Sequence, residues 1–453
     1  MSVSREVYSE ALRPQFHFTS KTGWLNDPVG LHYYKGTYHL FYQHNPSGTK
    51  WGNMHWGHAT STDMVHWEEQ PDALLPDETG EMWSGSGLVD WHNASGLSAD
   101  GGPVQILLYT AAGGVAELSN SMPFTQCLAY SNDSGSTWEK YAHNPVIPYI
   151  AEQTRDPKAV WHEASKSWVL ALYLGQNEYA LFTSQNLTQW EKTSSFKIPG
   201  CGECPDLFEM ELEGGHGKKR WVFWSATRGT YIVGDFDGKI FTPASEPVCA
   251  LPEGAHGYAA QTWSDIPKED GRRIQMSWAH FNIPDMPFNC FLTFPCVLRL
   301  KSTGTGPRLL FSPIDEIETL YGERHAVSGV ELDGCVPFTE ISNMQLDIHA
   351  KFSIGSAKTL GLEIFGTRIA YEPECQMLSC AGVSGTLRHE DEKISLRVLI
   401  DTTSVEIFAD DGGLYMPIGV IHTQPDSVVC AFAEGGKAGV ENMEIYELKS
   451  IWR

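Results

Sequence analysis

No apolar run in the 453-residue chain approaches the ~18 positions of a membrane-spanning helix. The opening residues, Met1-Ser-Val-Ser-Arg-Glu-Val-Tyr-Ser-Glu10, lack an apolar h-region, so no signal peptide is expected in the chain as it stands. The expected location is the cytoplasm, or outside the cell after a leader has been removed. Cationic side chains are scarce: 32 Lys and Arg stand against 56 Asp and Glu, a net charge of −24. Such a surface repels phosphate backbones and anionic headgroups, so neither nucleic acid nor membrane is expected as a partner. The ten cysteines lack the spacing of a disulfide framework, and a chain of this length does not need one. Cys201-Gly-Glu-Cys204 is a lone C-x-x-C, with no second pair at zinc-finger spacing, so it is assigned neither a metal nor a redox role. No metal and no cofactor is expected. Convincing helical periodicity is missing before residue 310.

What the chain does hold is aromatics (15 Trp, 17 Tyr, 20 Phe) and dispersed turn formers (43 Gly, 25 Pro). Beyond a lead-in over 1–20, short aromatic and β-branched runs alternate with turn signals. Leu31–Tyr34 and Thr37–Tyr42 flank Lys35-Gly36 and read as a hairpin; Ala159–Trp161 with Trp168–Tyr173, and Trp221–Ser225 with Thr230–Gly234, read likewise. A loose repeat runs through them. Ser61-Thr-Asp63-Met-Val-His-Trp67 is similar to Ser184-Gln-Asn186-Leu-Thr-Gln-Trp190, with Ser131-Asn-Asp133-Ser-Gly-Ser-Thr-Trp138 between and Gly234-Asp-Phe-Asp237-Gly-Lys-Ile-Phe241 beyond. The closing aromatics are 71, 52 and 51 residues apart. A period of about 50 residues made of short strands predicts propeller blades, each with a turn capping a hairpin and an aromatic packed between sheets. Sequons occur at Asn93, Asn132 and Asn186.

The length favours two domains. Pro313–Leu320 reads as a short helix or linker, and after residue 325 alternation returns in Ile394–Ile400 and Ser404–Phe408, as in a β-sandwich. The expected fold is all-β, with boundaries at 1–310, 311–325 for the linker and 326–453.

Three acids share similar company. Asp27 stands in Trp24-Leu-Asn-Asp-Pro-Val-Gly30, Asp156 in Arg155-Asp-Pro157, and Glu203 in Glu203-Cys-Pro-Asp206. Glycoside cleavage with retention uses an ionised carboxylate that attacks the anomeric carbon and a protonated one ~5 Å away that serves the leaving oxygen. Asp27, beside Asn26, suits the first role. Glu203, with Cys204, Pro205, Leu207 and Phe208 nearby and Asp206 adjacent, is expected to have a raised pKa and suits the second. Asp156, beside Arg155, is expected to hold hydroxyls and favour an oxocarbenium-like transition state. A following proline biases its predecessor toward extended backbone, so the acids are expected at strand entries that converge on a propeller axis.

These segments, in order, make the chain resemble glycoside hydrolase family 32, the β-fructofuranosidases. Phe41-Tyr-Gln-His-Asn-Pro46, Trp51-Gly-Asn-Met-His-Trp-Gly-His58, Trp83-Ser-Gly-Ser86, Tyr258-Ala-Ala-Gln-Thr-Trp263, Arg273-Ile-Gln-Met-Ser-Trp278 and Asp401-Thr-Thr-Ser-Val-Glu-Ile-Phe408 are similar to further family segments. The resemblance implies a five-bladed β-propeller followed by a β-sandwich, with Asp27 as nucleophile, Asp156 as transition-state stabiliser and Glu203 as acid/base. It implies that Asn26, Gln43, Trp51, Trp83, Ser84, Arg155 and Trp278 line the fructosyl pocket. The expected partner is a small-molecule or polymeric fructoside. A fructosyltransferase would carry the same acids, and a binding protein that had lost the chemistry is the rival of another class. Leu25 stands where the family usually has Met, Val29 where Asn is common, and His256-Gly257 where Asp-Phe is frequent, which puts fine specificity rather than the reaction at issue.

Overall fold

The computed structural model describes residues 8–215, 217–338, 341, 343–389, 391–422 and 428–452. Residues 1–7, part of the stretch read for a leader, lie outside the described residues. Among those described, no helix is long and apolar enough to cross a membrane. The fold is all-β, with three short 3-10 turns among the strands of the described residues.

Three antiparallel meanders come first. Gly23–Tyr34, Thr37–Asn45, His55–Ser61 and Glu68–Leu74 pair in sequence order. Glu81–Asp90, Val104–Ala112, Phe124–Ser131 and Glu139–Lys140 do the same, as do Arg155–His162, Ser167–Gly175, Glu178–Ser184 and Glu191–Lys197. A fourth set, Asp206–Glu213, Lys219–Ser225, Thr230–Phe236 and Phe241–Pro243, is joined through a parallel pairing of Leu212 with Leu300 to a last group containing Tyr258–Thr262, Arg273–Ala279 and Cys296–Thr303. The three hairpins expected from sequence are present, with Tyr34 opposite Thr37, Trp161 opposite Trp168 and Ser225 opposite Thr230.

First strands are inside and fourth strands outside. Glu81–Asp90 is almost wholly buried, whereas Glu191–Lys197 has no buried residue. A buried first strand still carries polar groups, because it must bond its neighbours in adjacent sheets. Ala159 N–H donates to Ser86 Oγ at 3.1 Å, Lys158 Nζ to the Thr262 carbonyl at 2.7 Å, and Gln261 Nε2 to the Gly85 carbonyl at 2.8 Å. Gly87 permits the closest approach: a Cβ there would sit 2.2 Å from the Gly30 carbonyl oxygen.

The sequence repeat is one turn used four times, always between the third and fourth strand of a set. Ser61 Oγ accepts the N–H of Met64 at 2.8 Å, Asp63 Oδ1 accepts that of His66 at 2.8 Å, and the Trp67 indole donates to the Met64 carbonyl at 3.1 Å. Ser184, Asn186 and Trp190 repeat those bonds, and Ser131, Asp133 and Trp138 repeat them with one extra residue. The fourth instance keeps only its acid, with Asp237 Oδ1 accepting from Lys239 and Ile240.

Within 311–325, expected as a linker, residues 311–313 finish a paired strand, Asp315–Leu320 form a 3-10 turn and Tyr321 opens the next strand. In the C-terminal half the strand Val429–Leu448 bends at Gly435-Gly436, so that its first part pairs with Thr359–Ile364 and its second with Leu346–Ser353. Strands from both arms bury Ile348, Leu362, Ile369, Val398 and Ile407 in one cluster. The halves are joined by a buried polar knot. Asp401 accepts the backbone N–H groups of Gln15, Phe16 and His17, and the His17 ring lies between Asp401 Oδ2 at 2.8 Å and Glu406 Oε1 at 2.9 Å. Glu406 also accepts Phe294 N–H and the Tyr415 hydroxyl.

Candidate active site

Asp27 is the fifth residue of Gly23–Tyr34, where a register shift between Leu25 and Pro28 interrupts the pairing. Its Oδ1 accepts Asn26 Nδ2 at 3.0 Å and its Oδ2 accepts the Ser84 hydroxyl at 2.6 Å. Asp156 is the second residue of Arg155–His162, and its N–H donates to Thr110 Oγ1 at 3.0 Å. Glu203 lies in the loop leading to Asp206–Glu213. Arg155 Nη2 donates to Glu203 Oε1 at 2.7 Å, and the Tyr258 hydroxyl donates to Oε2.

Cys204 joins these groups. Its N–H donates to Asp156 Oδ2 at 2.9 Å, and its thiol lies 3.6 Å from that oxygen and 3.6 Å from Asp27 Oδ2. Asp27 and Asp156 therefore share one neighbour, and Glu203 is the residue before it. The expected extended backbone is corrected here. Asp156 and Glu203 sit at φ 64° and 65°, and Cys204 at 38°, all in the left-handed region despite the prolines that follow Asp156 and Cys204. That conformation is costly for residues with a Cβ. The bonds from Cys204 N–H to Asp156 and from Ala226 N–H to the Glu203 carbonyl help to hold it.

Burial dominates the electrostatics. It pushes the Asp156 carboxyl up to about 7, with Arg155 opposing and the Glu203 charge adding. It raises Asp27 as well, against the lowering effect of the Ser84 and Asn26 bonds. The donors expected to keep Asp27 ionised are thus present but do not outweigh burial. It also pushes the Cys204 thiol well up, reinforced by the charges of Asp156 and Asp27. Asp206, expected as a negative neighbour of Glu203, faces elsewhere: its carboxylate accepts Thr262 N–H at 2.7 Å and lies 3.6 Å from the buried Lys158 ammonium.

A model of the glycosyl hydrolases family 32 N-terminal domain matches residues 17–313, and one of the family 32 C terminal matches 316–447. The chain belongs to glycoside hydrolase family 32. A levanase of Bacillus subtilis is 34% identical over 98% of this chain and 72% of its own length. An extracellular exo-inulinase of Aspergillus awamori is 30% identical over 98% and 96%. The crystal structure of an exo-inulinase from that organism superposes with a TM-score of 0.91 at 28% identity, covering 98% of this chain and 100% of that one. A β-fructofuranosidase from Schwanniomyces occidentalis, complexed with fructosyl-erythritol, gives 0.87 at 25% identity, covering 99% and 100%.

The other residues expected in a family 32 pocket group as follows. Asn26 is oriented by the Trp24 indole, which donates to its Oδ1 at 2.8 Å. Gln43 is buried and donates to the Met82 carbonyl at 2.8 Å. Trp51 is 51% exposed, so it is not a core residue, and it meets Trp83 edge-on at 5.7 Å. Trp278 packs edge-on against Trp24 at 5.9 Å and Tyr258 at 6.3 Å. Tyr258 and Cys204, which the sequence does not single out for the site, touch the acids with their own side chains. Val29, by contrast, is buried with Phe41 and Trp56, and Leu25 is buried in the main core. His256 is engaged by the C-terminal half, accepting Gly419 N–H at 3.1 Å. Apart from the three acids, Glu323, His325 and Glu447 bring three ligand atoms within 4.8 Å of one another, the arrangement among the described residues that a metal ion would suit.

Proposed function

We propose that this chain, a β-fructofuranosidase-type glycoside hydrolase, releases terminal β-D-fructofuranosyl units from sucrose and fructans by an exo-acting, retaining mechanism. Asp27 attacks C2 of the fructosyl unit while Glu203 protonates the leaving oxygen, giving a covalent fructosyl-enzyme. Glu203 then takes a proton from water, which attacks C2 and frees Asp27. Asp156 bonds ring hydroxyls and stabilises the positive charge that develops on the sugar. Arg155 and Tyr258 each hold one oxygen of Glu203 and so fix it relative to the leaving group. Amides and the guanidinium suit hydroxyls, and the indoles of Trp51, Trp83 and Trp278 suit the sugar's apolar faces.

The observation that carries this reading is the shared position of Cys204, in contact with both aspartates and bonded in sequence to Glu203. The relatives support the substrate class, since they include a levanase and exo-inulinases. For the architecture we infer five propeller blades, the last built around Tyr258–Thr262 and Arg273–Ala279, followed by a β-sandwich. In support, four strand sets carry the same turn between their third and fourth strands, with the Ser, Asp or Asn and Trp bonds complete in three of them.

The test is a hydrolysis panel of sucrose, a β-2,1 fructan and a β-2,6 fructan, with products resolved by size, run beside Asp27→Asn. Fructose as the sole product from the polymers, and loss of nearly all turnover in the variant, are expected. Asp27→Asn activity above roughly a tenth of wild type would remove Asp27 as nucleophile. Longer oligosaccharides replacing free fructose at high sucrose would assign transfer instead.

A further inference from the structure

Trp51 sits on the connection between the strands Thr37–Asn45 and His55–Ser61, half exposed and followed by Gly52. Gly52 has φ 135° and nothing within 4 Å of the place a Cβ would take. Glycine with open space around it gives the backbone freedom, so an aromatic wall at this position needs a tether. On the near side, Asn45 Nδ2 donates to the Lys50 carbonyl at 2.8 Å and Asn289 Nδ2 to that of Thr49 at 3.0 Å. On the far side the tether is a side chain that no motif includes. Asn53 N–H donates to Glu81 Oε1 at 3.0 Å.

Glu81 is buried, at 5% exposure, and opens the strand Glu81–Asp90. Strand periodicity of two puts positions 81 and 83 on one face. The Trp83 indole N–H accordingly points at Glu81 Oε2, at a long 3.4 Å. One carboxylate thus receives a donor from the Trp51 segment on one oxygen and the Trp83 indole on the other. Trp51 and Trp83 themselves meet edge-on at 5.7 Å and 72°. Only a carboxylate offers two acceptor oxygens to two N–H donors; the Gln side chain has one acceptor and one NH₂ that cannot accept.

We infer that Glu81 is a positioning residue of the fructoside site, a clamp that fixes the aromatic walls Trp51 and Trp83 against each other. The inference rests on the placement of both indoles in that site. Glu81 acts through them and touches no reacting atom, so its loss loosens the grip on the sugar more than it slows the chemistry. A residue needed only to fill buried space would act the same way whether or not Trp51 were present.

The experiment is a double-mutant cycle on sucrose and on a fructosyl trisaccharide, measuring kcat and KM for wild type, Glu81→Ala, Glu81→Gln, Trp51→Ala and the two combinations. We expect Glu81→Ala to raise KM about ten-fold with kcat within about three-fold, and Glu81→Gln to fall between it and wild type. In the Trp51→Ala background both Glu81 changes should cost less than about two-fold. Wild-type KM in both Glu81 variants, or equal losses in both backgrounds, would overturn the clamp. If Glu81→Ala does not fold, the nearly isosteric Glu81→Gln completes the cycle. Wild-type KM in Trp51→Ala would remove Trp51 from the pocket itself, and the clamp with it; a Trp51 effect without a Glu81 effect removes the clamp alone.

Discussion

Arg155 and Glu203, 48 positions apart, are joined by a hydrogen bond of 2.7 Å from Nη2 to Oε1. The same guanidinium stacks over Tyr173 with its Cζ 5.0 Å from the ring centre, and its Nη1 is held by the Gln153 carbonyl at 2.8 Å. Its position is therefore fixed by groups outside the acid cluster. Removing it takes away a charge-assisted bond worth about 1.5–3 kcal/mol. Arg155→Ala should lower kcat/KM on sucrose by about 10- to 150-fold. Arg155→Lys should recover only part, because an ammonium keeps the charge but not the planar fork. Arg155 also opposes the rise of the Asp156 pKa. The acidic limb of the kcat/KM profile should then move to higher pH in Arg155→Ala. A limb that stays in place would separate Asp156 from that limb.

Asp156 should show function and stability in opposition. Its folded pKa is about 7, above the ordinary carboxylate value, chiefly through burial. For an acid with a raised folded pKa, the ionised form is penalised by folding. Stability is unaffected below pH ~4 and is lost as pH rises through the window from ~4 to 7. Asp156→Asn removes that loss. The variant should be more stable than wild type by on the order of 2–4 kcal/mol at pH 8, with no gain at pH 4, and nearly inactive at both. Thermal or denaturant melts at the two pH values check it; equal melting at pH 8 would contradict the raised pKa.

The knot at His17 should make the whole chain alkali-sensitive. Burial alone would lower the pKa of this ring, but its bonds to Asp401 and Glu406 outweigh that and raise it to about 9. A histidine raised in the folded state contributes stability that is fully present below its unfolded pKa of ~6.5 and is lost as pH rises through about 9. The amount is about 3 kcal/mol. His17→Gln leaves two carboxylates without their cation and should destabilise strongly at pH 6. The difference between variant and wild type should shrink above pH 9. Melting temperatures at pH 6, 8 and 9.5 measure both; a constant difference across that range would show that His17 is not the titrating group.

Particular residues show how far the sequence could be read. Asp27, Asp156 and Glu203 are legible as a set, three proline-flanked acids beside aromatics and amides, and the turn ending in Trp67 is legible because its Ser and Asp bond only within seven residues. Local chemistry of that kind is written in local sequence. Asp206 was misread because its partners, Lys158 and Thr262, are 48 and 56 positions away, and adjacency in sequence says nothing about which way a buried side chain faces. The role of the Tyr258 hydroxyl is not legible locally, since its contact with Glu203 lies 55 positions back. The left-handed backbone at Asp156 runs against the local rule for residues before proline, so only its bonds across strands could have revealed it. Glu81 lies two positions before the Trp83–Ser86 segment, and its partner Asn53 is 28 positions back, so nothing local marks it.

The first and last described segments meet at one seam. Tyr8 stacks on Trp452 at 4.3 Å, Ile451 N–H donates to the Gln15 carbonyl at 2.8 Å, and the Trp452 indole donates to that of Pro14 at 2.6 Å. The chain is thus a ring of contacts opened at one point. A circular permutant, joined across this seam and reopened in an exposed turn such as Gly304-Thr305, would keep the contacts of the three carboxylates, because none of their partners lies at either site.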